Sequence, residues 1–305
     1  MSQPSRSPGP DGVGPVDASP VPGSGALGSE VAFPVVVNLR TIGVPFAWWR
    51  EQALRLEAAG YAGVATWDHF VSRGVRSDPV LEAWTTLAAV GGATTRLGLM
   101  TFVANVMNRH PAVLARMAAT LQEATGGRLT LGIGIGGHPA EHAAYGIPFP
   151  DAPARVARLE EAVAVLRALW TGGPVTRPSP FYPLSDAHAF PVPAPPPPIV
   201  VGAESRRGVE LAARIGDGWT MPATMLAALM PAYSDALAAA AGDRAAQRVL
   251  VAFDLAKGRT LAGSPWVEDP AGEAERWRDA GADGAVLGAG STADVDLLVE
   301  AAARR

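Results

Sequence analysis

The sequence predicts an α/β protein, a closed (β/α)8 TIM barrel with a proline-rich insertion after the fourth helix. Three observations carry that expectation. From residue 35 to the C-terminus, short apolar runs alternate with segments of helical period, and the alternation repeats eight times. The runs are apolar throughout instead of alternating with polar residues, which is the composition of parallel strands buried on both faces. Eight such units in a chain of 305 residues fit a closed barrel better than a doubly wound open sheet with a helical appendage, the rival arrangement.

The elements follow in order. Residues 35–39 (VVVNL) form the first strand, and Pro45 opens a helix that runs to Ala59 and stops at Gly60. Residues 63–67 are the second strand and lead directly into Asp68, His69 and Phe70. Asp78 and Pro79 are expected to start the second helix, with Leu81, Trp84, Leu87 and Ala88 on one face; residues 97–103 form the third strand. His110-Pro111 opens a third helix in which Leu114, Met117, Ala118 and Leu121 recur at the spacing of a packed face. After the turn at Gly126-Gly127, residues 129–133 form the fourth strand, and Leu159, Val163, Leu166 and Trp170 mark the fourth helix.

Residues 171–198 interrupt the rhythm. They hold ten of the 28 prolines, so neither a regular helix nor a central strand fits there. Strands at 199–201, 218–221, 249–255 and 284–287 then alternate with helices at 208–215, 225–241, 273–280 and 293–303. The domain organisation is therefore a disordered Pro/Gly/Ser-rich tail over residues 1–32 and one barrel over 33–305, with the insertion at about 171–198.

Composition excludes several classes. A net charge of -4 and the absence of any Lys/Arg run give no case for nucleic acid. No apolar run reaches the ~18 residues of a membrane span, and the N-terminus lacks a signal-peptide core. The chain has no cysteine, which excludes disulfides and thiolate chemistry and fits a reducing, cytoplasmic location.

In such barrels the reactive groups sit where strands end, at the C-terminal mouth. That rule selects Asn38 and Arg40 from strand one, Asp68 and His69 from strand two, and Thr101, Phe102 and Asn105 from strand three. It also selects the glycine loop with His138 from strand four, residues 202–205 from strand five and Asp254 from strand seven. Asp68-His69 suits acid/base or ligand work, a histidine titrating near neutrality beside a carboxylate that can orient it; the alternative is a loop-capping Asp and a His packed at the rim. The segment GIGIGG at 132–137 lacks the acidic residue of a dinucleotide fingerprint. It shows only that bulk is excluded, so that a flat ligand or another backbone can approach.

Residues 202–208, GAESRRG, are a better phosphate candidate, because they join a strand to a helix N-terminus beside Ser205 and two arginines. Ordinary capping by Glu204 or Ser205 is the alternative there. No metal is expected, since His138, Glu141 and His142 lack HExxH order and a third ligand. No G-x-S-x-G elbow supports a serine hydrolase.

The segments ATWDHF at 65–70, EAWTTLAAV at 82–90 and the long stretch at 108–150 resemble the luciferase-like monooxygenase superfamily. So do LEEAVAVLRALWTG at 159–172, PPPIVVGAESRRGVELAARIGDGW at 196–219 and, more weakly, GADGAVLG at 281–288. More narrowly they resemble the actinobacterial branch of coenzyme F420-dependent oxidoreductases. The resemblance implies a barrel holding F420, or FMN as the alternative, across its mouth. It further implies an oxidoreductase moving a hydride to or from a small organic substrate.

By resemblance, Asp68 and His69 line the ring and substrate pocket, and His69 or His138 relays a proton. Thr101-Phe102 falls where relatives have a bulge with a non-proline cis peptide, and Gly202, Ala203, Glu204 and Ser205 hold the cofactor phosphate. Gly136, Gly137 and His138 fall beside the ring. Relatives commonly read GAGWH where this chain has GIGGH, so a wall tryptophan is absent. Gly137 also stands where the glucose 6-phosphate branch has a catalytic glutamate, so that substrate is not expected. With FMN the expected chemistry is a two-component monooxygenase served by a separate reductase; a reading of another class is a barrel that binds without turnover. Family members are often homodimers.

Overall fold

In the computed structural model, which describes residues 33–72, 74–253 and 261–305, eight parallel strands close on themselves. The barrel strands are β1 (Val35–Leu39), β2 (Gly63–Thr66), β3 (Gly98–Thr101), β5 (Leu129–Gly134), β8 (Ile199–Gly202), β9 (Gly218–Pro222), β10 (Arg248–Phe253) and β11 (Gly284–Ala289). The two-residue β4 (Ala104–Asn105) continues β3 along β5. Closure comes from the pairing of β3 with β5, Leu99 opposite Leu129 and Met100 opposite Thr130. The eight expected β/α units are therefore present and the open-sheet rival is excluded.

The strand pleat sorts the core into two layers. Val36, Ala65, Met100, Val200, Leu250 and Val286 fill the barrel, with Phe102 packed against them. Their strand neighbours, such as Val35, Val37, Val64, Leu99, Leu131 and Val201, face the helices. Successive residues on a strand point to opposite faces, so an all-apolar strand serves both layers at once.

Several expectations change. The second helix, α2 (Ala83–Gly91), starts five residues after Asp78. Residues 79–81 pair instead with the loop after β1: Gly43 N donates to Pro79 O, Leu81 N donates to Thr41 O, and Ile42 bridges Val80. A backbone already bonded in extended form cannot also open a helix. The third strand ends at Thr101, and the cis peptide lies at Phe102-Val103, one residue beyond the expected pair.

The proline-rich segment contains a small antiparallel hairpin, β6 (Val175–Arg177) with β7 (Leu184–Ala187), separate from the barrel sheet. It rests on α3 (Pro111–Ala124) through bonds from Arg116 to Phe190 O and from Gln122 to Pro195 O. A short helix α4 (Pro139–Tyr145), not foreseen, follows the glycine loop and ends on Gly146 at φ +66°. The expected tail and Asp254 lie outside the described residues. Among the described residues no helix is long and apolar enough to cross a membrane.

Candidate active site at the barrel mouth

The mouth is built from three segments that leave the ends of β2, β4 and β5. Asp68 and His69 are adjacent in sequence but take different partners, which corrects the expected pairing. Asp68, almost fully buried, accepts both arms of Arg109, at 2.7 Å on Oδ2 and 2.9 Å on Oδ1, and the amide of Asn105 at 2.9 Å. Arg109 also reaches Glu82 at 2.8 Å. Burial alone would lower the Arg109 pKa, but the Asp68 and Glu82 carboxylates raise it above its ordinary value. Asp68 is thus a bidentate structural anchor for the loop before α3.

His69 turns the other way, toward α4. Its Nδ1 lies 2.8 Å from Glu141 Oε2, while Glu141 Oε1 accepts the amides of Phe70 and of Val71, the latter at 3.1 Å. One buried carboxylate therefore grips three consecutive residues. His138 approaches the same oxygen, with Nδ1 at 3.9 Å, and its ring stands edge-on to His69 at 5.9 Å between centroids. Burial would push the Glu141 carboxyl up, yet the His69 bond and the two amides hold it below the ordinary carboxylate range.

The neighbouring His142 is buried, packs on Phe149 at 4.5 Å, and places Nε2 2.8 Å from Asn105 Nδ2. Desolvation lowers its pKa and nearby Arg155 adds to that; the Glu141 charge opposes them. Asn105 Oδ1 accepts from Met107 N and Nδ2 donates to Asn108 Oδ1, which fixes the amide's orientation and makes His142 Nε2 the acceptor. Asn105 thereby ties the end of β2, the loop before α3 and helix α4 together.

The glycine loop has two parts with different work. A Cβ on Gly132 would lie 2.0 Å from Thr101 O, and one on Gly134 2.9 Å from Val103 Cγ2. A Cβ on Gly136, at φ +73°, would meet the Asn105 side chain at 2.5 Å. These three glycines make room for the bulge after β3 and for Asn105, which is the backbone-approach alternative, and they do not by themselves form a flat ligand floor. Gly137 differs: nothing lies within 4 Å of the Cβ position. Thr101 is fully buried and its hydroxyl donates to Gly132 O at 2.7 Å; Phe102 is partly exposed on top of the barrel core.

On the neighbouring strand, paired with β5, Gly202 ends β8 and Ser205 caps α6 (Arg206–Ile215) by accepting from Gly208 N at 3.2 Å. Ala203 is held at both ends, its amide on Thr220 O and its carbonyl by Trp219 Nε1 at 2.9 Å. Residues 204–207 are exposed. The DGW segment is structural: Asp217 accepts from Ile199 N and Arg167, and Trp219 braces Ala203. From strand one, Asn38 is buried between Ala65 O and Trp67 Nε1, and Arg40 bonds Ile42 O.

Sequence reasoning placed His69 and His138 at one mouth and the structure brings them together. It placed Glu141 with His138 at the rim of the glycine loop but did not pair it with His69, and it missed Arg109; these two are the partners that organise that mouth. The signal for Glu141 was its place in the His138, Glu141, His142 cluster directly after the glycine loop.

Fold and mouth together define a parallel α/β-barrel protein with titratable side chains gathered at the C-terminal end of its strands. The chain belongs to the luciferase-like monooxygenase family, whose model matches residues 31–262. Among curated relatives, an F420-dependent glucose-6-phosphate dehydrogenase from Kribbella flavida is 38% identical over 173 residues, covering 55% of this chain and 51% of that protein. The enzyme of the same name from Beutenbergia cavernae is 36% identical over 164 residues, 53% and 48% of the two chains. The chain thus spans about half the length of the curated relatives it matches. Among solved structures, an F420-dependent secondary alcohol dehydrogenase in complex with an F420-acetone adduct superposes with a TM-score of 0.77 at 21% identity, covering 90% of this chain and 100% of that one. An EDTA monooxygenase from Chelativorans sp. gives 0.72 at 16% identity, covering 89% and 93%. These two show the shared fold.

Proposed function

We propose that the protein is an oxidoreductase that holds coenzyme F420 across the barrel mouth and moves a hydride to or from a small organic substrate. The observation that carries the reading is the cluster of His69, His138 and Glu141 beside the open face at Gly137, in a chain whose curated relatives are named F420-dependent dehydrogenases. The residues present suit such a group. Phe102 offers an apolar surface over the barrel core, Gly137 leaves room beside it, and the exposed start of α6 offers helix N–H groups with Ser205, Arg206 and Arg207 to a phosphate.

When bound, the deazaflavin supplies or accepts the hydride. The protein's own work is to position the partners and handle the proton. His69 and His138 hold or release a proton at the mouth, and Glu141 keeps their loop in place. Asp68 contributes through Arg109 and Asn105, since both its oxygens are already bonded, and Thr101 contributes as wall. Gly202, Ala203, Glu204 and Ser205 form the phosphate rim, with Gly136 shaping the loop behind Gly137. Gly137 supplies no carboxylate, which argues against glucose 6-phosphate as the substrate and for a wider pocket. A homodimer in the cytoplasm belongs to the same reading.

Titration of the purified protein with F420 and with FMN, followed by fluorescence, tests it. Saturable F420 binding weakened by Ser205→Glu, which places a negative charge at the phosphate rim, is expected. Tight FMN binding with none for F420 would replace the reading by a two-component monooxygenase with its own reductase. No binding of either would leave a barrel without this chemistry.

A further inference from the structure

The carboxylate shared by the two mouth histidines decides something neither histidine can decide for itself. Glu141 is 2% exposed and its two oxygens have separate duties. Oε1 receives the Phe70 and Val71 amides, and Oε2 faces His69 Nδ1 at 2.8 Å. An ionised carboxylate only accepts hydrogen bonds, so the proton of that contact belongs to the imidazole. Neutral His69 is therefore the Nδ1–H tautomer, and its basic lone pair sits on Nε2.

We propose that Glu141 is a positioning residue that selects this tautomer and so makes Nε2 of His69 the nitrogen that accepts or delivers a proton at the mouth. The proposal rests on the reading of His69 as the proton carrier, but its structural half stands apart from any cofactor. Two features keep Glu141 in place. The amides of residues 70 and 71 hold one oxygen, and His142, the next residue of α4, is locked to Asn105 at 2.8 Å. Among the described residues, the titratable groups against His69 are Glu141 and His138; His142 of α4, with Arg155 among its charged neighbours, and the Asp68–Arg109 pair are the further charged groups of this region.

Replacing Glu141 by glutamine gives a sharp test because the same amides fix how the new side chain sits. Phe70 N–H and Val71 N–H require an acceptor, so the amide oxygen takes the Oε1 position and the NH2 faces His69 Nδ1. A donor there forces the proton onto Nε2, and the tautomer inverts. The chain has five histidines, so 15N-histidine labelling with single His→Ala variants assigns each ring by long-range 1H–15N spectra. At a pH where the ring is neutral, wild-type His69 is expected to show a protonated Nδ1, and Glu141→Gln a protonated Nε2.

Turnover with F420 and the accepted substrate should fall by roughly 100-fold or more, the scale of a lost general acid/base, while the dissociation constant for F420 changes less than about threefold. Glu141→Asp, which keeps the charge, should retain the wild-type tautomer. A wild-type His69 protonated on Nε2, or no inversion in a folded Glu141→Gln protein, would overturn the proposal. Should that variant not fold, the wild-type spectrum alone still decides. If the tautomer inverts and no F420 turnover exists in either protein, Glu141's role stands and the functional reading fails.

Discussion

The two ends of the barrel use charged side chains in opposite ways. At the N-terminal end, charges are closed onto backbone. Arg128, 4% exposed, donates to Thr125 O, Leu97 O, Gly91 O and Thr94 O, as well as to the Thr94 hydroxyl. Glu57 accepts the amides of Thr95, Arg96 and Leu97; Asp217 and Asp283 accept those of Ile199 and Val249. At the C-terminal mouth, titratable groups face one another and open space: two histidines beside one carboxylate, a glycine with nothing within 4 Å of its Cβ position, and an exposed helix start. The first arrangement stabilises loops; the second leaves groups able to change partner or proton. The Asp68–Arg109 pair shows that the mouth also needs its own anchors.

The largest expected effect lies at the mouth. His69→Ala should lower turnover by about 100- to 10,000-fold while cofactor affinity and urea unfolding change little. Steady-state kinetics beside a binding titration would show it, and a loss confined to affinity would make His69 a ligand contact instead.

Arg128→Met should do the reverse. Carbonyls that lose a buried donor cost about 1–3 kcal/mol each, so urea unfolding should show a loss of roughly 4 kcal/mol with turnover per folded molecule intact. A stable Arg128→Met protein would break the contrast between the ends.

Acid titration is expected to reach the mouth first. The His142 pKa is lowered in the folded protein, so below its unfolded value of ~6.5 the unfolded chain binds a proton that the folded one does not, and stability falls as pH drops. Glu141 is also depressed; its contribution is present above the unfolded carboxylate value and disappears as pH falls through the lower folded one. Denaturant midpoints measured from pH 7 down to about pH 3 should decline in those two stages, the second beginning only below the ordinary carboxylate value of ~4.5, and His142→Gln should remove the upper stage.

The smallest effect is expected at Gly137→Ala. With open space at the Cβ position, stability should stay within ~0.5 kcal/mol, and any change should appear in substrate KM. A large loss of stability would mean that the open face is filled by structure.

Much of the fold was legible because its signals are local. Strand runs such as VVVNL, the helix starts at Pro45 and His110-Pro111, and the break at 171–198 each express a preference within a few residues. The start of α2 was not legible, because residues 79–81 bond to the loop after β1, a segment nearly forty residues away that no local pattern reveals. The glycine loop was half legible. The sequence showed that bulk is excluded; the structure showed that Thr101, Val103 and Asn105 are what exclude it at Gly132, Gly134 and Gly136.

By itself, then, the sequence determined the barrel, its C-terminal mouth and two of the histidines, His69 and His138, that meet there. Tertiary structure alone decided who holds whom: Glu141 reaches His69 across 72 positions of sequence, and Arg109 takes Asp68 across 41. The physical reason is one of range. Backbone conformation and apolar periodicity are set by near neighbours, whereas the partner of a buried charge is set by whichever strand ends closure of the barrel brings together.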